Sequence, residues 1–117
     1  MTTEIAKNKW KTYLDDFSRA KMNWETTVQV LNEETGAQIL SDGMPFGGLT
    51  YETNAEGAAV ALNLGSDPEQ HQTHMIFDPK TIAFKDDEEG GTLDIEGASG
   101  TKTLITFVEP KHRSAHQ

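Results

Sequence analysis

The chain contains no cysteine. That excludes disulfides, thiolate nucleophiles and cysteine-ligated zinc, and it suits a reducing cytoplasm, the expected location. Positive charge is scarce and unevenly placed: all 10 Lys and Arg fall at or before Lys21 or from Lys80 onward, against 19 Asp and Glu. Between Met22 and Pro79 the fixed charges are Glu25, Glu33, Glu34, Asp42, Glu52, Glu56, Asp67, Glu69 and Asp78, all negative. Nucleic acids and anionic membranes are held mainly by clustered Lys and Arg, so neither is an expected partner. The net charge of −9 is sufficient reason for a small domain to stay in solution. Long hydrophobic runs are missing as well. No stretch approaches the roughly 20 apolar residues of a membrane-spanning helix, and Met1 to Ala6 lacks the basic-then-apolar layout of an export signal.

What is present supports one modest core. With 117 residues and 35% hydrophobic content, the chain reads as a single globular domain over residues 1–109, followed by a disordered tail over 110–117 that has no periodicity. Trp10, Tyr13, Leu14 and Phe17 recur at three- and four-residue steps, which places them on one face of a helix over about residues 8–20. Asn8 is the expected N-cap, and Arg19 and Lys21 suit the helix C-terminus. Three aromatic rings on one stripe require a partner surface.

Beyond Lys21 the period falls to two. Trp24, Thr26, Val28 and Val30 alternate with Glu25, Thr27 and Gln29, the pattern of a half-buried strand. Further strands are expected at 37–40, 49–53, 59–64, 72–77, 81–84, 92–96 and 101–108, giving a β-rich region over 24–108. They are separated by Asn32 to Gly36, a breaker-rich loop from Asp42 to Gly48, Asn54 to Gly57, Gly65 to Gln70, a type I turn at Asp78-Pro79-Lys80, the acidic loop Asp86 to Gly91, and Gly97 to Gly100. The last strand is apolar on both faces and belongs in the centre of the sheet or against the helix. The fold class is therefore α+β, mainly β: an N-terminal helix packed on a small antiparallel sheet, either strongly bent or closed into a small barrel.

Chemically versatile side chains gather in one place, the stretch DPEQHQTHMIFDP from Asp67 to Pro79. His71 and His74 are three residues apart, so on a strand they face opposite sides and converge on an ion only if one lies in the loop. Asp67 and Asp78 are the carboxylates that could join them in a small-ligand or divalent-metal site at the mouth of the sheet. The plain alternative is a solvated His71 and a His74 bonded to backbone. His112 and His116 share helical spacing in a segment with no other helical pattern. No nucleophile elbow, phosphate-cradling glycine loop or EF-hand loop occurs, and no catalytic residue, metal site or cofactor is assigned. Hydrolase or isomerase chemistry by acidic residues is the weakest alternative. The leading expectation is a non-enzymatic domain that works through protein contacts, with a partner protein or as a homo-oligomer, through an edge strand or the apolar residues Met44 to Phe46.

The whole chain except the tail resembles a family of small bacterial proteins described as a domain of unknown function. The resemblance is carried by Ile5, Trp10, Leu14 to Arg19, Trp24, Val28 to Leu31, Gly36 to Gln38, Pro45 to Leu49, His74 to Pro79, Leu93 to Ile95 and Gly100 to Phe107. It implies an N-terminal helix followed by a β-rich domain and supplies no substrate, cofactor or catalytic residue. It makes the corner around His74, Asp78 and Pro79 the first place to look.

Overall fold

The structure, a computed structural model, describes residues 2–65, 69 and 71–110. The tail assigned as disordered, the pair His112 and His116, and Asp67 lie outside the described residues, apart from Pro110. A short strand β1 (Thr2–Glu4) and a 3-10 turn (Lys7–Lys9) lead into helix α1 (Trp10–Lys21). Seven strands follow: β2 (Glu25–Asn32), β3 (Gly36–Asn54), β4 (Gly57–Leu64), β5 (Gln72–Phe77), β6 (Pro79–Lys85), β7 (Thr92–Gly97) and β8 (Lys102–Val108). All eight form one antiparallel sheet in the order β1-β6-β7-β8-β2-β3-β4-β5. The sheet is bent and does not close into a barrel, which decides between the two architectures the sequence allows.

The bend lies in β3. Its first part, Gly36 to Pro45, pairs with β2, and its second, Phe46 to Asn54, pairs with β4. The segment Asp42 to Gly48 is therefore not the interrupting loop the breakers suggest. The strand passes through it because Gly43 (φ 94°) and Gly48 (φ 127°) take backbone angles that let a strand kink without ending. The changeover is pinned by Phe46 N–H donating to Trp24 O (2.8 Å), Asn23 N–H to Phe46 O (2.8 Å) and Gly65 N–H to Pro45 O (2.7 Å). Two half-sheets then face one another across a core of Val28, Phe46, Leu49, Val60, Leu62, Leu64, Ile76, Ile82, Leu93, Ile95, Ile105 and Phe107.

Helix α1 fills the gap with the stripe read from the sequence: Trp10, Leu14 and Phe17 are buried and Tyr13 is half-buried. Phe17 sits among three other phenyl rings, its centroid 5.1 Å from Phe107, 5.2 Å from Phe84 and 6.2 Å from Phe46, all edge-to-face. Trp10 meets Tyr51 edge-on at 5.5 Å and donates its indole N–H to Ile5 O (2.9 Å). Asn8 does not cap the helix: it lies in the 3-10 turn, and Lys9 occupies the cap position without a side-chain bond. The preceding 3-10 turn leads directly into α1. The β3 bulge is tied to the helix by Ser18, whose Oγ accepts from Leu49 N–H (2.8 Å) and lies 2.7 Å from Leu14 O.

One detail corrects the turn reading. Asp78 adopts φ 50° and joins β5 to β6 as a single residue, so Asp78-Pro79-Lys80 is not a type I turn and those strands do not pair. The acidic loop is organised by one carboxylate: Asp87 Oδ1 accepts from the backbone N–H of Glu89 (2.8 Å), Gly90 (2.9 Å) and Gly91 (2.9 Å). Those bonds, first among them the one from Gly90, hold the Asp87 carboxyl below its ordinary range. Gly91 is buried at φ 97°, where a Cβ would stand 2.4 Å from the Phe84 ring and 2.8 Å from Lys85 O.

Phe17→Ala leaves a cavity at the ring cluster and is expected to cost about 3–5 kcal/mol in urea unfolding, whereas Thr12→Ala on the exposed face of the same helix stays within about 0.5 kcal/mol. Gly91→Ala combines a left-handed backbone angle with contacts shorter than atoms tolerate, and its unfolding midpoint is expected to fall by the equivalent of about 2–4 kcal/mol.

Candidate functional site

Strand β4 lies between the second half of β3 and β5, and its sequence Gly57-Ala58-Ala59-Val60-Ala61-Leu62-Asn63-Leu64 alternates large with small. Val60, Leu62 and Leu64 point into the core and are fully buried. Ala59 and Ala61 therefore take the outer face, since successive strand residues alternate. Register sets Ala59 opposite Glu52 on one side and Phe77 on the other, and Ala61 opposite Thr50 and Met75. Short alanines on the middle strand between longer side chains on both neighbours make a trough.

The trough has a volume of about 400 Å³ and is lined by Glu52, Asn54, Glu56, Ala59, Met75, Phe77 and Asp78 among others. Phe77 forms its outer wall with 69% of its surface exposed. Three carboxylates, on Glu52, Glu56 and Asp78, stand at the end where the β3–β4 turn meets the β5–β6 junction, and none of the described lining residues is basic. Asp78 is positioned through its backbone, donating to Ala58 O (2.9 Å) and accepting from Ala98 N–H (3.0 Å). Its Oδ1 leans over Gly57, 3.3 Å from where a Cβ would be. The turn itself is held by Glu56 N–H donating to Asn54 Oδ1 (2.8 Å).

His74 lies on the other side of β5. It pairs with Leu62 on the inner face and lines a second cavity of about 200 Å³, together with Val30, Ile76, Ser99, Thr101 and Thr103. This is the mouth between the two half-sheets. Burial pushes the imidazole below its ordinary range, because the cation loses hydration there. The hydroxyls opposite are already engaged: Ser99 Oγ lies 3.1 Å from Thr101 Oγ1, which also accepts from Asn32 Nδ2 (3.0 Å).

The residues singled out from the sequence are thus dispersed. His74 faces the mouth, Asp78 lines the outer trough, and His71 is exposed just before β5. No group of three His, Asp or Glu able to hold an ion comes together among the described residues. The trough escapes a sequence reading because Glu52 and Phe77 are 25 positions apart and meet only through register with Ala59. The one local signal is the run of outward alanines in β4.

Residues 1–116 match the model of a family of unknown function, DUF5335, and the chain belongs to that family. An uncharacterized protein from Aquifex aeolicus (strain VF5) is similar, 26% identical over 106 residues that cover 89% of each chain. No solved structure matches.

The depressed imidazole has a consequence for stability. As pH falls through the unfolded-state value of about 6.5, the unfolded chain takes up a proton that folded His74 resists, so stability declines until the folded pKa is passed. His74→Gln is expected to flatten this limb of the stability profile, measured by urea unfolding between pH 7.5 and 5.

Proposed function

We propose that this domain is a non-enzymatic cytoplasmic module that works through protein contacts, and that its contact surface is the β5 edge with the trough beside it. The supporting observation is Phe77, a large aromatic left mostly in water at the rim of a trough floored by Ala59. Burying such a ring is worth about 2–3 kcal/mol. β5 is also a terminal strand of the sheet, and it carries no Lys, Pro or register shift of the kind that protects edges from pairing. The opposite edge, β1, is only three residues long.

A partner protein fits this surface better than a second copy. A twofold contact centred on the trough would set Glu52, Glu56 and Asp78 of one chain against the same carboxylates of the other, and apposed like charges in an interface cost several kcal/mol. A second reading rests on the mouth cavity, where the inward imidazole of His74, held below its ordinary range by burial, offers a hydrogen bond to a small uncharged ligand.

A photo-crosslinking phenylalanine analogue at position 77 is expected to capture one defined protein in cells, and the same analogue at exposed position 12 is expected to capture none. Phe77→Ser should weaken the recovered complex at least tenfold without lowering the thermal midpoint. A strict monomer at every concentration in light scattering, with no crosslink specific to position 77, would overturn the proposal.

A further inference from the structure

The shape and charge of the trough define what the partner must bring. We infer that it binds an extended segment of a partner protein that adds to the β5 edge and lays a lysine or arginine side chain into the trough. This inference rests on the protein-contact reading and names the chemistry of the contact.

Two features of the surface fit together in that occupant. A strand pairing with the free edge of β5 continues the pleat, so every second side chain stands on the outer face beside Thr73, Met75 and Phe77. Gly97 approaches the Phe77 carbonyl, so the added strand pairs along Thr73 to Met75, and the side chain it places beside Met75 is delivered to the trough rim. The floor there is Ala59 and the wall is Met75 and Phe77, apolar side chains against which a hydrocarbon stem can lie, while Glu52, Glu56 and Asp78 line its end. Lys and Arg carry that combination, a methylene chain that packs on apolar surface and a charged head that seeks polar groups. The face of an exposed phenyl ring adds attraction for a cation passing over it. No fixed positive charge occurs between Met22 and Pro79, a span that includes every residue lining the trough, so these strands supply no cation of their own.

Binding of fluorescein-labelled heptapeptides to the native full-length chain, followed by anisotropy, tests this. The probes alternate threonine and valine around a central lysine, norleucine or glutamate. The lysine peptide is expected to bind at least tenfold more tightly than the norleucine peptide, which shares its stem, and the glutamate peptide should bind weakest. The advantage should shrink as salt rises from 50 to 500 mM, which shortens the Debye length from about 14 to 4 Å. It should vanish in the Glu52→Gln, Glu56→Gln, Asp78→Asn variant, in which Asn keeps the backbone angle at position 78 tolerable. Unchanged thermal midpoints show that the variant folds. Equal binding of lysine and norleucine peptides overturns the cationic assignment while the edge contact stands. No peptide binding despite a crosslink at position 77 overturns the extended-segment assignment alone, and loss of both removes the protein-contact reading too. Free spermidine that competes at the lysine peptide's own affinity would overturn the commitment to a protein segment.

Discussion

The architecture depends on one strand belonging to two half-sheets. β3 must pair with β2 along its first part and β4 along its second, and at Met44 to Gly48 it has to turn without exposing its backbone groups. Pro45 has no N–H to lose at the crossing, and its carbonyl is taken by Gly65. Phe46 exchanges hydrogen bonds with Asn23 and Trp24, the residues that connect the helix to β2. Asn23 can adopt φ 69° because its short polar side chain tolerates the left-handed region. A single knot of backbone bonds thus fixes the end of α1, the start of β2 and the crease of the sheet. The Phe46 ring at the same position is packed against Phe17 and Phe107. Crease and core are therefore set together, and the helix docks where the fold of the sheet leaves room for it.

The same crease makes the outer face of β3, β4 and β5 available. Once the two half-sheets face each other, the large residues of β4 are consumed by the core and the helix occupies the gap between the halves. Nothing in the chain's own described packing covers the alternate residues of these strands. In most small antiparallel sheets that outer face is polar. Here Ala59, Ala61, Met75 and Phe77 interrupt a face otherwise made of Thr50, Glu52, Asn54, Asn63 and Thr73. That departure is the reason for locating function there rather than at the histidines.

The sequence made the elements legible because their signals are local. The spacing of Trp10, Leu14 and Phe17 and the alternation in β2 depend on neighbours three, four or two positions away, and these residues lie where that periodicity puts them. Asn32 and Asn54 lead their turns by accepting from the backbone two residues on, as short-range turn chemistry requires. The errors have a common cause. Glycine and proline between 42 and 48 read as a break because a local rule cannot distinguish a strand that stops from one that changes partner. At Asp78 the sequence Asp-Pro fits a type I turn, but the strands on either side belong to different half-sheets, so a hairpin turn has no role there. β1 is too short to carry a period. The trough is a property of register between three strands, and no window along the chain contains it.

Charge segregation gives the outer face its direction. Among the described residues the positive side chains sit on the 3-10 turn, the helix, β6 and β8, and the one at the end of the helix is used internally. Lys21 Nζ lies 4.0 Å from the Trp24 ring centroid, 5.3 Å from Phe17 and 5.4 Å from Phe84. Burial lowers its pKa while Asp86, Glu109 and Asp87 oppose that shift, so the ammonium is held between rings and the acidic loop at the end of the helix. Lys102 is likewise engaged, 3.4 Å from Asp94 and 3.3 Å from Glu96. Lys21 and Lys102 are thus committed to rings and carboxylates, and β3, β4 and β5 themselves carry no Lys or Arg. On the proposed reading, a cationic segment would be drawn toward that side of the molecule before any contact forms, and Ala59, Met75 and Phe77 would then distinguish a side chain with a stem from a bare ion.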